Sequence, residues 1–279
     1  MRILVTGGSG RLGRWVVKEL RSDHDIIVID RTAATTPDNV KLVQADHTNL
    51  GQIYSVMTGM DAVVHLAAIP SPIGVTPDVV FGNNTMGTFN VAEAAGNLEV
   101  KKLIYTSSCS AYGFAFRTND MVPDYMPLDE NHPVRPQDSY GLSKWFGEEI
   151  LEAATRRTGL TTIAMRIPTV LTPEHYAEDV PQALARPKLA AIGAYVDARD
   201  VAQAIRLVLE NSELTGHHRF CIAAEDSFSR VPLCESFPVA YPGSEQVAAN
   251  LTGIHKAPSL LRRQNGYSVI NLAIAGGIR

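Results

Sequence analysis

Short apolar runs alternate along the first half of the chain with longer segments whose apolar positions recur at helical spacing. The runs 2–6, 26–30, 41–45, 62–66 and 102–107 are rich in Val, Ile and Leu and lack strict apolar–polar alternation. Strands buried on both faces of a parallel sheet read this way. Helical patterns fill 12–21, 50–58, 77–97 and 139–158, and a further strand is expected at 161–167. This order predicts an α/β fold, a doubly wound parallel sheet of the Rossmann type with right-handed crossovers. Beyond it the pattern weakens, although 200–210 reads as a helix and 217–222 as a strand. The stretch 114–138 holds Pro123, Pro127, Pro133 and Pro136 and reads as one long loop, a length more often functional than idle. Neither 168–196 nor 223–279 yields a firm pattern, and the chain has no internal repeat.

Composition narrows the possibilities. With 25 basic against 29 acidic residues the net charge is −4, so no basic excess exists to hold nucleic acid. The most apolar stretch, 62–70, is about half the ~18 residues a membrane-spanning helix needs. Met1 leads directly into the first strand, leaving no room for a leader peptide. Cys109, Cys221 and Cys234 lack metal-site or disulfide-framework spacing and read as reduced thiols. The expectation is a soluble cytoplasmic protein without metal, nucleic-acid partner or membrane partner.

The first strand runs into Thr6-Gly7-Gly8-Ser9-Gly10-Arg11-Leu12-Gly13, and a helix follows. This spacing gives a tight turn, a close backbone approach to a pyrophosphate, and free amides at a helix N-terminus facing the phosphates. Strand two ends in Asp30, 17 residues after Gly13, where a carboxylate can accept hydrogen bonds from both ribose hydroxyls of an adenosine. Asp30 favours NAD because it repels a 2′-phosphate. Arg31 beside it suits such a phosphate and keeps NADP open.

Tyr140 and Lys144 lie four apart on a helix and share a face. A free phenol titrates near ~10. A neighbouring ammonium that brings it down by roughly three pH units makes it a usable acid/base. Taken alone, such a pair is more often a packing and solvation pair. Ser107 and Ser108, however, end a strand where ligands of doubly wound sheets bind.

Together these pieces resemble the extended short-chain dehydrogenases/reductases, the NAD-dependent epimerase/dehydratase family. The resemblance is carried by 6–13, Asp30, Asp46, His65-Leu66-Ala67-Ala68 and Asn84-Thr-Met-Gly-Thr88. It continues through Ser107-Ser108-Cys-Ser-Ala-Tyr112-Gly113, Tyr140-Gly-Leu-Ser-Lys144 and Val196-Asp-Ala-Arg-Asp-Val201, in family order to about residue 222. It implies that Tyr140 is the acid/base, that Lys144 lowers its pKa and holds the nicotinamide ribose, and that Ser108 is the catalytic hydroxyl. Gly7, Gly10, Arg11, Leu12, Gly13, Asp30, Arg31, Asp46, His47, Leu66, Ala67, Ala68, Asn84 and Ile167 are the implied remaining cofactor contacts. His65 is expected to be structural. Residues 1–167, completed by 197–222, are the implied NAD(P)-binding domain with its catalytic helix. The remainder, 168–196 and 223–279, is expected to form a small substrate-binding lobe.

The reaction implied is hydride transfer at a secondary alcohol or ketone. Cys109-Ser110 replace the Asp-Glu that sugar-nucleotide dehydratases carry after the catalytic Ser/Thr. The segment from Arg166 departs from the Arg-Pro-x-Asn-Val-Tyr-Gly-Pro pattern of nucleotide-sugar epimerases. Glu174, Glu178 and Asp179 are poor neighbours for a diphosphate, although Arg186, Lys188 and Arg199 can compensate. In these respects the chain is more similar to the compact uronate dehydrogenases, with Ser71, Ser108, Ser110, Tyr140 and Thr169 at substrate-contacting positions. The resulting expectation is a dehydrogenase/reductase of a small sugar-like or hydroxylated compound. A UDP-glucose 4-epimerase-like activity and a non-catalytic NAD(P) sensor are the alternatives. The helices at 77–97 and 139–158, with Trp145, Phe146, Ile150 and Leu151, match the family pair that forms a four-helix bundle between subunits, so a homodimer is expected. Packing on the chain's own sheet is the simpler use of the same residues.

Overall fold

The structure, a computed structural model, describes residues 1–32, 40–174, 194–224 and 232–251. The apolar runs are strands β1 (Arg2–Thr6), β2 (Asp25–Asp30), β3 (Lys41–Gln44), β4 (Ala62–His65), β5 (Lys102–Ser108) and β6 (Thr161–Ile167). β7 (Thr169–Leu171), β8 (Tyr195–Asp197) and β9 (His217–Cys221) follow. Seven of them form one sheet in the order β3-β2-β1-β4-β5-β6-β9, and each neighbouring pair is parallel. β7 and β8 pair in parallel as a separate ribbon that the sequence pattern did not reveal. The chain moves outward in opposite directions from β1 and β4, so a crevice opens between them at their carboxyl ends.

The helices are α1 (Gly13–Leu20), α2 (Leu50–Met57), α3 (Pro77–Asn97), α4 (Ser139–Thr158) and α5 (Ala198–Glu210). Two more, α6 (Leu233–Ala240) and α7 (Glu245–Ala248), lie where no element was expected. Successive strand residues point to opposite faces, and both faces are covered. Ile3, Val5, Val64 and Ile104 pack with Val16, Val17 and Leu20 of α1 and Val201, Ile205 and Val208 of α5. Leu4, Val63, Leu103 and Tyr105 pack instead with Ile53 and Met57 of α2, Val91 of α3 and Leu151 of α4. Double burial is the reason the strands read as unbroken apolar runs.

The expected bounds of α3, α4 and β6 match residue for residue, and both ends of α4 show why. Asp138 accepts hydrogen bonds from the Tyr140 and Gly141 amides at its start. Gly159, at φ 75°, terminates it in the left-handed region. α5 begins two residues earlier than expected because the Asp197 side chain accepts from the Arg199 amide. The loop 114–138 contains no helix or strand, but it is not loose. Phe114 and Met126 join Tyr112, Leu233, Phe237, Tyr241 and Leu251 in a third core, so this loop and the two C-terminal helices pack together.

Helix α4 is fastened to the sheet by one carboxylate. Glu148, fully buried, accepts from Ser107 Oγ of β5 at 2.6 Å. It also accepts from Arg166 Nε and Nη2 of β6 at 3.0 and 2.8 Å, and from Arg219 Nε of β9 at 3.0 Å. Three adjacent strands thus share one anchor. Glu148→Leu leaves the buried Arg166 guanidinium without a counter-charge and is expected to lower unfolding free energy by about 3–5 kcal/mol. Urea denaturation measures it, and a loss below about 1 kcal/mol would refute the anchoring role.

Candidate active site

A groove of about 900 Å³ crosses the carboxyl ends of β1, β2, β4, β5 and β6. Its floor begins at the glycine turn. A Cβ on Gly13 would collide with the Gly7 carbonyl, and one on Gly7, at φ 69°, would lie 2.8 Å from Ala67. The turn is therefore compressed to backbone thickness, and α1 opens behind it without a side-chain cap. Gly7, Gly10, Arg11, Leu12 and Gly13 all line the groove. A cradle of this kind fits the pyrophosphate of a dinucleotide.

Asp30, Arg31, His47 and Asn83 stand at one end of the groove. The Arg31 amide donates to the Asp30 carboxylate at 2.8 Å, and its guanidinium reaches Asn83 Oδ1 at 3.4 Å. The His47 ring fits against α3 only because Gly87 has no side chain to strike it. Burial holds His47 below its ordinary pKa, against the pull of the Asp46 carboxylate.

The middle of the groove is positioned by a buried chain of hydrogen bonds with a fixed direction. The Ala67 amide donates to Thr6 Oγ1, and that hydroxyl lies 2.7 Å from His65 Nδ1, to which it donates when the ring is neutral with its proton on Nε2. Thr88 donates its own proton to the Asn84 carbonyl, so it accepts from His65 Nε2 at 3.2 Å. His65 is therefore neutral with its proton on Nε2, and burial pushes its pKa well down. Asn84 then donates to Ser143 Oγ, and Ser143 donates to the Tyr140 carbonyl. Glycine turn, groove floor and α4 are tied in one sequence of contacts.

Ser108, Tyr140 and Lys144 meet beyond the end of β5. The Ser108 hydroxyl caps a short turn at Cys109–Tyr112, accepting from the Ser110 amide at 3.0 Å and donating to Ser110 Oγ at 3.1 Å, with the Tyr140 phenol beside it. Lys144, 3% exposed, donates to the Thr106 carbonyl at 2.7 Å and lies 5.8 Å from the centre of the Tyr140 ring. The expected lowering of the phenol pKa is not found in the protein alone. Burial pushes Tyr140 up to about 12, and the neighbouring Ser108 hydroxyl offsets only part of that. The Lys144 ammonium is itself depressed to about 7 by burial, with the Glu148 charge opposing. Desolvation is the largest cause for both groups; the Asp138 charge adds to it at Tyr140, and the Glu148 charge opposes it at Lys144.

Ser71, Ser110 and Thr169 line the same groove, as do Leu66, Ala67, Ala68 and Ile167. Two expected contacts do not. Asp46 turns its carboxylate to the Thr48 amide and hydroxyl, both at 2.8 Å, and Asn84 is spent on Ile69 and Ser143. Arg199 is held by two bonds to Asp197. Glu178, Asp179, Arg186 and Lys188 lie outside the described residues, as does most of the expected lobe. Asn83 and Phe116 were missed. Asn83 is adjacent to the expected Asn84. Phe116 sits in the long loop, edge-on to Tyr140 with ring centres 6.1 Å apart, and no local pattern marks it. Among the described residues no cluster of His, Cys, Asp and Glu suits a metal ion, and no helix is long and apolar enough to cross a membrane.

The sequence model of the NAD dependent epimerase/dehydratase family matches residues 3–223. Similar proteins include an L-arabinose 1-dehydrogenase (NAD(P)(+)) of Haloferax volcanii, 35% identical over 182 residues, which are 63% of this chain and 70% of that protein. A putative UDP-glucose 4-epimerase of Methanocaldococcus jannaschii is 30% identical over 177 residues, covering 60% of this chain and 55% of the relative. Among solved structures, a short-chain dehydrogenase/reductase superfamily protein from Agrobacterium tumefaciens with bound NAD superposes with a TM-score of 0.71. It is 22% identical and the match covers 95% of each chain, a likeness of fold.

With Asp30 at the end of β2 and Arg31 already drawn to Asn83, NAD is expected to bind at least ~10-fold more tightly than NADP, about 1.4 kcal/mol. Titration of the protein with each reduced cofactor by fluorescence decides it, and equal affinities would overturn the role given to Asp30.

Proposed function

Since the chain belongs to the NAD dependent epimerase/dehydratase family, a family of NAD-dependent enzymes, we propose that it is a dehydrogenase/reductase acting on a secondary alcohol or ketone of a small sugar-like substrate. The observation that carries this reading is the convergence of Ser108, Tyr140 and Lys144 on one groove with the glycine cradle. Gly7, Gly10 and Gly13 with the start of α1 would hold the pyrophosphate, Asp30 the adenosine ribose, and Lys144 the nicotinamide ribose. Bound NAD supplies the hydride acceptor.

The chain's own residues handle the proton. Tyr140 takes it from the substrate hydroxyl during oxidation and returns it during reduction. Ser108, beside the phenol, turns its proton from Ser110 Oγ to the same substrate oxygen as charge develops there. A phenol lying near 12 starts as an acid, so the oxidative direction needs the Lys144 positive charge close by. Ser71, Ser110 and Thr169 offer hydroxyls to a polyol, and the Phe116 ring offers an apolar wall. Among the described residues, the Lys and Arg side chains lining the groove besides Lys144 are Arg11 and Arg31, at the cradle and the adenosine end. These features favour a small hydroxylated substrate over a nucleotide sugar. The three free thiols suit the cytoplasm, the compartment proposed for this chemistry.

We also propose a homodimer. Val79, Met86 and Phe89 of α3 and Phe146 of α4 are 42–51% exposed, and Phe146 packs edge-on against Phe81 across the two helices. An apolar face of this kind suits a second copy. Light scattering at micromolar concentration is expected to give twice the chain mass, and a monomer mass would refute the dimer.

Free aldoses including L-arabinose, uronates and UDP-glucose, each offered with NAD, test the activity through the absorbance of reduced cofactor. Net reduction with a free sugar is expected, and Tyr140→Phe should lower turnover at least ~10²-fold while keeping cofactor affinity. Conversion of UDP-glucose without net reduction would replace this reading with an epimerase. Binding of NAD with no turnover in a broad panel would replace it with a sensor.

A further inference from the structure

Lys144 presents a problem of charge. The residue is 3% exposed, and its ammonium has one hydrogen-bond acceptor among the described residues, the Thr106 carbonyl. No carboxylate of the described residues forms an ion pair with it. Glu148, one turn further along α4, feels its charge, but both carboxylate oxygens are committed to Ser107, Arg166 and Arg219. His65 of β4 and His47 after β3 also face it and carry no negative charge. Tyr140 presents a protonated phenol. A buried ammonium with so little compensation is costly.

One neighbour supplies what is missing. The Lys144 nitrogen lies over the ring of Tyr105, 4.8 Å from its centre, closer than to the ring of Tyr140. Tyr105 is 1% exposed and is pinned in this orientation. The His65 ring stacks on it at 5.7 Å, and Gly147 makes room for its hydroxyl where any Cβ would collide. The hydroxyl itself does no visible work. It has the Thr88 hydroxyl in its neighbourhood but no hydrogen bond of ordinary geometry. A buried tyrosine whose polar atom is unused, and whose ring face covers an ammonium, acts through the ring.

We propose that Tyr105 is a positioning residue whose π face holds the Lys144 ammonium at the edge of the groove, in the role a carboxylate would otherwise fill. The dispersed negative charge of a ring face attracts the ammonium without offering it a proton acceptor. Lys144 therefore stays free to use its remaining N–H groups on a ligand in the groove. That consequence rests on the reading of Lys144 given above, but the test does not.

The chain has seven lysines, so protein labelled at the lysine ε-carbon gives a simple NMR spectrum in which Lys144 is assigned by its loss in Lys144→Met. Its titration midpoint is measured in wild type, in Tyr105→Phe, and with trifluorophenylalanine at position 105. Phenylalanine keeps the charged ring face and should leave the midpoint within about 0.3 pH units of wild type. The fluorinated ring has the same shape but a neutralised face, and should lower the midpoint by about one pH unit. A purely space-filling Tyr105 predicts no difference between the two rings, and equal midpoints would overturn the proposal. So would a midpoint that falls as far in Tyr105→Phe, since the hydroxyl would then be responsible. Spectra recorded with NADH separate the two claims. A Lys144 resonance that ignores NADH would reject the cofactor reading of Lys144, whereas the dependence on fluorination stands or falls without it.

Discussion

A carboxylate with no solvent contact, Glu148, is the point on which the site's geometry depends. It joins α4 to β5, β6 and β9 through Ser107, Arg166 and Arg219. Tyr140 and Lys144 lie two turns and one turn before it on the same helix, and Ser107 is the chain neighbour of Ser108. The anchor therefore sets the spacing among all three proposed catalytic groups. Arg166 extends its reach, donating to the Glu130 carbonyl at 3.1 Å and lying over the ring of Tyr112. The long loop is held in place from beneath. A buried ion pair of this kind adds little net stability compared with an apolar replacement, but it is intolerant of losing one partner. Its value is geometric.

A second network performs the corresponding task along the groove floor. His65 is the hinge between Thr6 and Thr88, and because Thr88 can only accept from Nε2 while burial keeps the ring neutral, a single tautomer satisfies both neighbours. Asn84 completes the run by gripping both backbone groups of Ile69 and the Ser143 hydroxyl. This explains why Asn84 is buried away from the groove that its spacing in the sequence suggested it would line. The same side chain cannot both hold the floor and present itself above it.

Burial acts on Tyr140 and Lys144 in opposite directions on the pH scale but with one effect, since it favours the neutral form of each. The simple picture of an ammonium lowering a phenol by proximity leaves out this desolvation. Charge brought into the groove by a ligand meets two groups that burial has made reluctant to ionise, in surroundings where solvent screens little. The π face of Tyr105 belongs to the same balance, because it steadies the ammonium without competing for the proton.

Much of the fold was legible because its determinants are local. Apolar runs announce strands buried on both faces, Asp138 and Gly159 mark the ends of α4, and the glycine spacing marks a turn compressed to backbone thickness. The motifs carrying Ser108, Tyr140 and Lys144 were legible for the same reason, each written within a few consecutive residues. What the tertiary structure alone decided depends on partners far apart in the chain. The pairing of Glu148 with Arg219, the diversion of Asp46 and Asn84 from the groove, the arrival of Phe116 beside Tyr140 and the parallel ribbon of β7 and β8 have no local signature. The same holds for the protonation of Tyr140 and Lys144. A sequence specifies which groups are present, but the water taken from them, and hence their pKa, is settled only when the surrounding elements have packed.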